Sequence, residues 1–233
     1  MNAVITGASR GIGKAVAKIF ALHGYDLFLC SKNEASLLET VEELKKEFPN
    51  TSIKAQAFDL GKKQQSRLLG EWVLNNADSV DVLVNNVGTF IQGNVSDEPD
   101  GALEQMLEVN LFSAYHTTRA LLPKMIQNKS GHIFTICSIA SLQAYPNGGA
   151  YSISKYALLG FTKNLRQELK PHHIKVTAII PGAVYTDSWK GSGVAESRIM
   201  EAEDIAAMIY NATKLSPQAT VEEIVIRPQL GDL

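Results

Sequence analysis

Cysteine is nearly absent from this chain, with two residues in 233, Cys30 and Cys137. Each closes an apolar, strand-like run and neither sits in a Cys-x-x-Cys pair. A disulfide framework and a thiolate metal site are both argued against, and a reducing, cytoplasmic setting is expected. An excess of one charge is missing too: Lys and Arg number 22, Asp and Glu 24, for a net charge of −2. No broad attraction to nucleic acid or to an anionic membrane follows from that balance. No apolar run reaches the ~18 residues of a membrane span, and no basic-then-apolar leader opens the chain, so neither a span nor export is expected. Histidines number five. The adjacent pair His172-His173 follows Pro171 and lacks a third ligand at sensible spacing, so no metal site is expected. Repeats, linkers and low-complexity stretches are absent. What remains is a chain 45% hydrophobic and 20% charged, the composition of a soluble globular protein with ample material for a core.

The rest of the chain is organised around Asn2 to Gly13, NAVITGASRGIG. A short apolar run, Ala3-Val4-Ile5, leads into Thr6-Gly7, then Gly11-Ile12-Gly13, and a helical pattern opens at Lys14. This reads as strand, tight turn, helix. Gly7 lets the chain leave the strand, Gly11 admits a phosphate to the backbone, and Gly13 lets the helix pack close to the sheet. The free amides and the dipole at the helix start then face an anion, such as a pyrophosphate.

Downstream, strand-like and helical stretches alternate. Strands are expected at Leu27–Cys30, Ser52–Phe58, Val82–Val84, His132–Cys137, Lys175–Ile180 and Glu223–Arg227. Helices are expected at 14–23, 33–48, to about 75, across a long region 97–128, and at 151–169 and 202–212. Apolar runs without alternation mean strands covered on both faces. The expected fold is α/β: one Rossmann-type domain over 1–233, a doubly wound parallel sheet of about seven strands with helices on both faces. A short lid is expected around 183–200.

The tip of the second strand bears on cofactor choice. A group about 20 residues past the glycine turn meets the adenine ribose, and a carboxylate there would favour NAD. Here the tip reads Ser31-Lys32-Asn33, with no acid before Glu34. Ser31, Lys32 and Arg10, with Ser9 in the turn, suit a 2′-phosphate, so NADP(H) is expected. Asp59-Leu60 follows the third strand, where the Asp can accept from the adenine amino group; alone it would be an ordinary helix N-cap. Asn85-Asn86-Val87-Gly88 ends the fourth strand and alone would be a polar turn.

Tyr151 and Lys155 lie at i and i+4, on one helix face. A free phenol titrates near 10. An ammonium beside it favours the phenolate, so the pair can exchange a proton near neutrality. Ser138 ends the fifth strand, at the sheet edge where such folds bind ligands. With these residues the sequence resembles the short-chain dehydrogenase/reductase family along essentially its whole length. The matches are Thr6-Gly7…Gly11-Ile12-Gly13, Asp59-Leu60, Asn85-Asn86-x-Gly88, Asn110, Ser138, Tyr151…Lys155 and Pro181-Gly182 followed by Thr186. Val87 stands where the family usually has Ala, which would crowd the adenosine side. The resemblance implies a catalytic tetrad. Tyr151 is the general acid and Ser138 orients the carbonyl. Lys155 bonds the nicotinamide ribose and lowers the tyrosine pKa, and Asn110 interrupts the long helix and holds a water in a proton relay. Pro181, Gly182, Val184 and Thr186 would border the nicotinamide carboxamide.

The C-terminal third is similar to bacterial sepiapterin-reductase-like carbonyl reductases, while the core motifs also fit 3-oxoacyl-carrier-protein reductases. Pocket candidates are Ile139, Tyr145, Tyr185, Trp189 and Met200. A small-molecule carbonyl substrate is expected. The runner-up is a carrier-linked thioester, for which Lys124, Lys129 and Lys170 could frame a basic mouth. A non-catalytic dinucleotide-binding regulator is a minor alternative, disfavoured because all four catalytic groups are present. Helix 151–169 carries Leu158, Phe161, Leu165 and Leu169 on one face, with Tyr156 and Leu159 outside it. That surplus apolar width, with the family's habit of pairing these helices, implies a homodimer or homotetramer.

Overall fold

Branched and aromatic apolar runs become strands in the computed structural model, which describes residues 1–186, 189 and 193–232. The strands are β1 (Asn2–Thr6), β2 (Asp26–Ser31), β3 (Ile53–Ala57), β4 (Val82–Asn85), β5 (His132–Ile136), β6 (Lys175–Pro181) and β7 (Glu223–Ile226). They form one sheet in the order β3-β2-β1-β4-β5-β6-β7. Every pairing is parallel, with Ile5 of β1 opposite Leu29 and Val84. The order reverses between β1 and β4, and the crevice beyond the strands' carboxyl ends there is the place for a ligand in an open α/β sheet.

The helices between them are α1 (Gly11–Leu22), α2 (Glu34–Glu47), α3 (Lys63–Leu74), α4 (Ala102–Met106), α5 (Ser113–Asn128), α6 (Gly149–Leu169) and α7 (Ala202–Thr213). Successive strand residues point to opposite faces, and two separate cores result. On one face Ala3 and Ile5 pack with Val16 and Phe20 of α1, Leu37 of α2 and Ile205 and Ile209 of α7. On the other, Val4, Leu83 and Ile133 pack with Leu69 of α3, Leu121 of α5 and Leu165 of α6. Gly70 lets α3 and α5 touch, because a Cβ there would collide with Ala120.

Four expectations need correction. β3 is an edge strand whose residues alternate between half-buried and exposed, so it is not covered on both faces. The helical region begins at Ala102, not at 97. It is broken by a π-helical segment, Leu107–Phe112. Leu159 is buried within the subunit beside Cys137 and Ile180, while Tyr156 does stay outside, 46% exposed. Lys129, the C-cap of α5, and Lys170, at the end of α6, precede β5 and β6. They therefore lie at the amino edge of the sheet, opposite Ser138 and Tyr151, and cannot frame a mouth over them. Lys124 belongs to the same final turns of α5.

Candidate active site

The glycine turn folds as its spacing requires. Gly7 and Gly11 have φ of +65° and +52°, which other residues rarely adopt. A Cβ on Gly13 would collide with the Gly7 carbonyl oxygen. The turn is braced from β4: the Asn86 side-chain amide donates to the Thr6 and Gly7 carbonyls at 3.0 and 3.1 Å. Val87 packs behind it, with Cγ2 3.4 Å from where a Gly7 Cβ would stand, so the extra bulk is absorbed by the core. Arg10, the N-cap of α1, makes no side-chain cap, and the first turn holds no acid. Amides at that helix start are thus left for an anion. Thr186 closes the crevice from the other side, its Cγ2 3.1 Å from a Gly11 Cβ position.

At the β2 tip, the Ser9 and Ser31 hydroxyls lie 2.9 Å apart, and the Thr40 hydroxyl donates to the Ser9 carbonyl at 2.9 Å. Lys32 is ion-paired with Asp59 at 3.0 Å, so the two predicted contacts hold each other. Lys62 reaches the same carboxylate at 4.0 Å. The Leu60 side chain belongs to the core, leaving its backbone for any ligand. Val184 is likewise buried in the core with Met200, and the two pair across an isolated bridge. Met200 is therefore packing and not pocket lining. Pro181 ends β6, and Gly182 lies against Pro228 and Asp232 of the chain's last residues. Arg198 donates to the carbonyls of Leu230, Gly231 and Asp232, an arrangement with no local sequence signal. Trp189 is half-buried, and its N–H donates to the Thr186 carbonyl at 2.9 Å. The lid residues 187, 188 and 190–192 lie outside the described residues.

The four chemistry-bearing residues are anchored separately, Asn110 to the helix of Tyr151, Lys155 to β5 and Ser138 within its own turn. Asn110 sits in the π-helical segment, fully buried. Its Oδ1 accepts from the Thr89 N–H at 2.7 Å, and its Nδ2 donates to the Thr89 carbonyl at 3.0 Å and to Ser154 Oγ at 2.8 Å. Ser154 in turn donates to the Tyr151 carbonyl at 2.8 Å. Lys155, 5% exposed, donates to the Ile136 carbonyl at 2.9 Å, its Nζ 5.8 Å from the centre of the Tyr151 ring. A Cβ on Gly88 would stand 3.4 Å from Asn110 Oδ1 and 3.5 Å from Lys155 Nζ. Glycine there keeps these groups and any ligand close. Ser138 caps the short turn Ile139–Ser141: its Oγ accepts from the Ala140 N–H, and Ser141 Oγ accepts from the Ser138 N–H, both at 3.2 Å. The Ser138 hydroxyl accepts one bond there and keeps its proton to donate elsewhere.

Phe90 stands edge-on to Tyr151, ring centres 5.0 Å apart. Tyr145 is a second phenol beside it. Burial pushes its pKa up to about 12, and the neighbouring Tyr151 adds to the rise, so Tyr145 stays a hydrogen-bond donor. The two cysteines are unpaired and buried, their thiols pushed up to about 12 and about 11 by burial. Among the described residues no three His, Cys, Asp or Glu side chains cluster to hold a metal. No helix there is long and apolar enough to cross a membrane.

Comparison with known proteins agrees with this geometry. Residues 1–196 match the family model of the short chain dehydrogenases. A sepiapterin reductase of Chlorobaculum tepidum is 33% identical over 239 residues, 99% of this chain and 97% of that protein. An uncharacterized oxidoreductase of Staphylococcus epidermidis is 32% identical over 97% of this chain and 96% of its own. Among solved structures, an alcohol dehydrogenase of the archaeon Thermococcus sibiricus complexed with 5-hydroxy-NADP superposes with a TM-score of 0.89. It is 28% identical and covers 98% of this chain and 96% of that one. The L-sorbose reductase of Gluconobacter frateurii, complexed with NADPH and L-sorbose, also has a TM-score of 0.89, at 26% identity over 99% and 95%. With the family model matching most of the chain and relatives of 32–33% identity spanning nearly all of it, the chain is a member of the short-chain dehydrogenase family of oxidoreductases.

Proposed function

We propose that this protein is an NADPH-dependent carbonyl reductase acting on a small ketone or aldehyde. The observation that carries the reading is the buried chain Asn110–Ser154–Tyr151 with Lys155 beside it and the Ser138 hydroxyl at the end of β5, its proton left to donate. The crevice fits a dinucleotide: uncapped α1 amides, glycines where Cβ atoms would obstruct, and Thr186 closing over Gly11. Gly7 to Gly13 would hold the pyrophosphate. Ser9, Arg10, Ser31 and Lys32, with Lys62 nearby, would hold the 2′-phosphate, Lys32 leaving or sharing Asp59 to do so. Asp59 and the Leu60 backbone would meet the adenine, Asn86 and Gly88 the adenosine side, and Pro181, Gly182, the Val184 backbone and Thr186 the carboxamide. The 5-hydroxy-NADP and NADPH complexes of the two structural relatives support NADP(H) over NAD.

NADPH supplies the hydride. Ser138 donates a hydrogen bond to the substrate carbonyl oxygen, and Tyr151 gives that oxygen its proton. Lys155 keeps Ile136 as its hydrogen-bond partner and has further N–H groups to offer the nicotinamide ribose and the phenol. Asn110, rigid in its pocket, would hold the water that returns the proton.

A free small carbonyl, such as sepiapterin or a vicinal diketone, is favoured over a carrier-linked thioester. The Chlorobaculum relative is a sepiapterin reductase, and the lysines that would have greeted an acidic carrier lie at the far edge of the sheet. The setting we assign is cytoplasmic, and the assembly a homodimer or homotetramer through α5 and α6. Ile153 and Tyr156 are exposed on α6, Phe112 is exposed at the end of the π-helical segment, and nothing stands within 4 Å of a Cβ on Gly160.

The test is a side-by-side NADPH-oxidation assay with sepiapterin, a vicinal diketone and an acetoacetyl thioester. The small carbonyls should be reduced fastest. Tyr151→Phe should cut turnover by about 10²–10⁴-fold with NADPH affinity intact. A Tyr151→Phe variant as active as wild type would overturn the assignment, and a dominant thioester rate would reverse the substrate order. NADPH binding with no oxidation across the panel would mark the regulator alternative.

A further inference from the structure

The helix that carries Tyr151 does not cap itself. Gly148 stands at its N-cap with no side chain to offer, and its first turn holds no acidic residue. The first amides of a helix lack intrahelical partners. Two of these are met from the loop between β4 and α4. Glu98 Oε2 accepts from the Ala150 N–H at 2.9 Å, across 52 residues of sequence. The Gly93 carbonyl accepts from the Gly149 N–H at 2.9 Å. The fit leaves no slack: a Cβ on Gly149 would stand 2.6 Å from Glu98 Oε2, and one on Gly93 would stand 2.7 Å from Glu98 Cβ.

The loop is itself closed on both sides. Asp97 Oδ1 accepts from the Asn94 N–H, and Asn94 Oδ1 accepts from the Asn147 N–H, both at 3.0 Å. The Glu98 N–H donates to the Asn94 carbonyl at 2.8 Å. The same loop reaches the reacting phenol, since Phe90 stands against Tyr151 and Thr89 holds Asn110.

We infer that Glu98 is a positioning residue for the reduction: its carboxylate caps the N-terminus of α6 and so fixes where the Tyr151 hydroxyl stands. Tyr151 is the next residue after the amide that Glu98 holds. The negative charge also suits the positive end of the helix dipole. The inference rests on Tyr151 as the proton donor. Loosening the first turn displaces the phenol relative to a bound carbonyl, and proton transfer is steep in that distance. The pyrophosphate and 2′-phosphate parts of the crevice are built by β1, α1 and the β2 tip, which Glu98 does not touch, and Lys155, which would meet the nicotinamide ribose, is anchored separately to the Ile136 carbonyl of β5. Turnover and cofactor affinity therefore separate.

The experiment measures kcat, substrate KM and NADPH Kd for wild type, Tyr151→Phe, Glu98→Ala, Glu98→Gln and Gly149→Ala. Glu98→Ala should lower kcat by roughly 10- to 100-fold with NADPH Kd unchanged. Glu98→Gln keeps an acceptor at the same reach and should restore most of kcat. Gly149→Ala, whose methyl displaces the carboxylate and also presses on the Gly93 carbonyl, should lose at least as much kcat as Glu98→Ala. The Glu98→Ala/Gly149→Ala double variant should be no worse than Gly149→Ala alone, since the methyl already displaces the carboxylate. Wild-type kcat in Glu98→Ala, or an equal loss of kcat and NADPH affinity, overturns the inference. If Glu98→Ala does not fold, full kcat in Gly149→Ala overturns it instead. An inactive wild type or an active Tyr151→Phe would sink the functional assignment and this inference together. An active wild type, an inactive Tyr151→Phe and a fully active Glu98→Ala would sink this inference alone.

Discussion

His132, at the start of β5, is 5% exposed and stacks on Phe134 with ring centres 3.9 Å apart. Its Nε2 lies 2.7 Å from the Thr177 hydroxyl, which itself donates to the Val221 carbonyl. The hydroxyl proton is taken, so Nε2 carries the ring's proton and donates it, and the imidazole is neutral. Burial, with a lesser push from Lys175, lowers its pKa to about 3. The unfolded chain takes up a proton that the folded one refuses. The stabilisation from His132 is therefore complete above about pH 6.5 and is lost as pH falls from there toward 3, at roughly 1.4 kcal/mol per unit. Urea midpoints between pH 7 and pH 4 should fall more steeply for wild type than for His132→Gln. Two other residue-scale outcomes concern the cofactor crevice. Gly13→Ala places a methyl against the Gly7 carbonyl and 2.6 Å from Asn86 Nδ2. It should cost about 1–3 kcal/mol in a thermal melt and weaken NADPH binding. Lys32→Asp combined with Arg10→Ala should move preference from NADPH toward NADH. A wild type that uses both equally would refute the reading of the β2 tip.

At the scale of elements, the π-helical turn Leu107–Phe112 is the least ordinary piece of the fold. A wide turn inside a helix is rare and tends to mark functional positions. Here it buries Asn110 against Thr89 and Ser154. Asn110→Ala would strand the Thr89 amide and carbonyl and remove the tie to α6. A loss on the order of 1–3 kcal/mol in stability should accompany a fall in kcat, both measured on one preparation. This element also shows where sequence reading stops. The Gly-x-x-x-Gly-x-Gly turn and the Tyr151–Lys155 pair are local patterns, set by φ angles and by i,i+4 spacing, and each stands where its spacing put it. The resemblance singled out Asn110 and an interrupted helix. The π turn itself, the Asn110–Ser154 bond, the Lys32–Asp59 pair and the Glu98 cap depend on contacts between distant segments, which no local window contains. The exposure of β3 followed from strand order, which also requires the assembled sheet.

For the whole molecule, the two-sided core explains why apolar width on α5 and α6 is ambiguous when read along the chain. Leu158, Leu159, Leu165 and Leu169 all face the subunit's own interior. The surplus is narrower: a stripe of Ile153 and Tyr156, three apart on α6, with Phe112 exposed at the end of the π-helical segment. If that stripe closes a symmetric pair, light scattering at micromolar concentration should give a dimer or tetramer. Ile153→Glu with Tyr156→Glu should then give monomers with unchanged circular dichroism. A monomeric wild type would end the oligomer proposal.

Glu98, Gly93 and Gly149 also form a unit of inheritance. While the glutamate holds the helix start, a methyl at either glycine position collides with it. Removing the glutamate does not free them: a Gly149 methyl would still stand 2.8 Å from the Gly93 carbonyl oxygen, and a Gly93 methyl 2.7 Å from the Cβ that any residue but glycine keeps at position 98. Descendants of this chain should therefore be able to lose the acid while both glycines stay, and should lose a glycine only where the loop itself has been rebuilt.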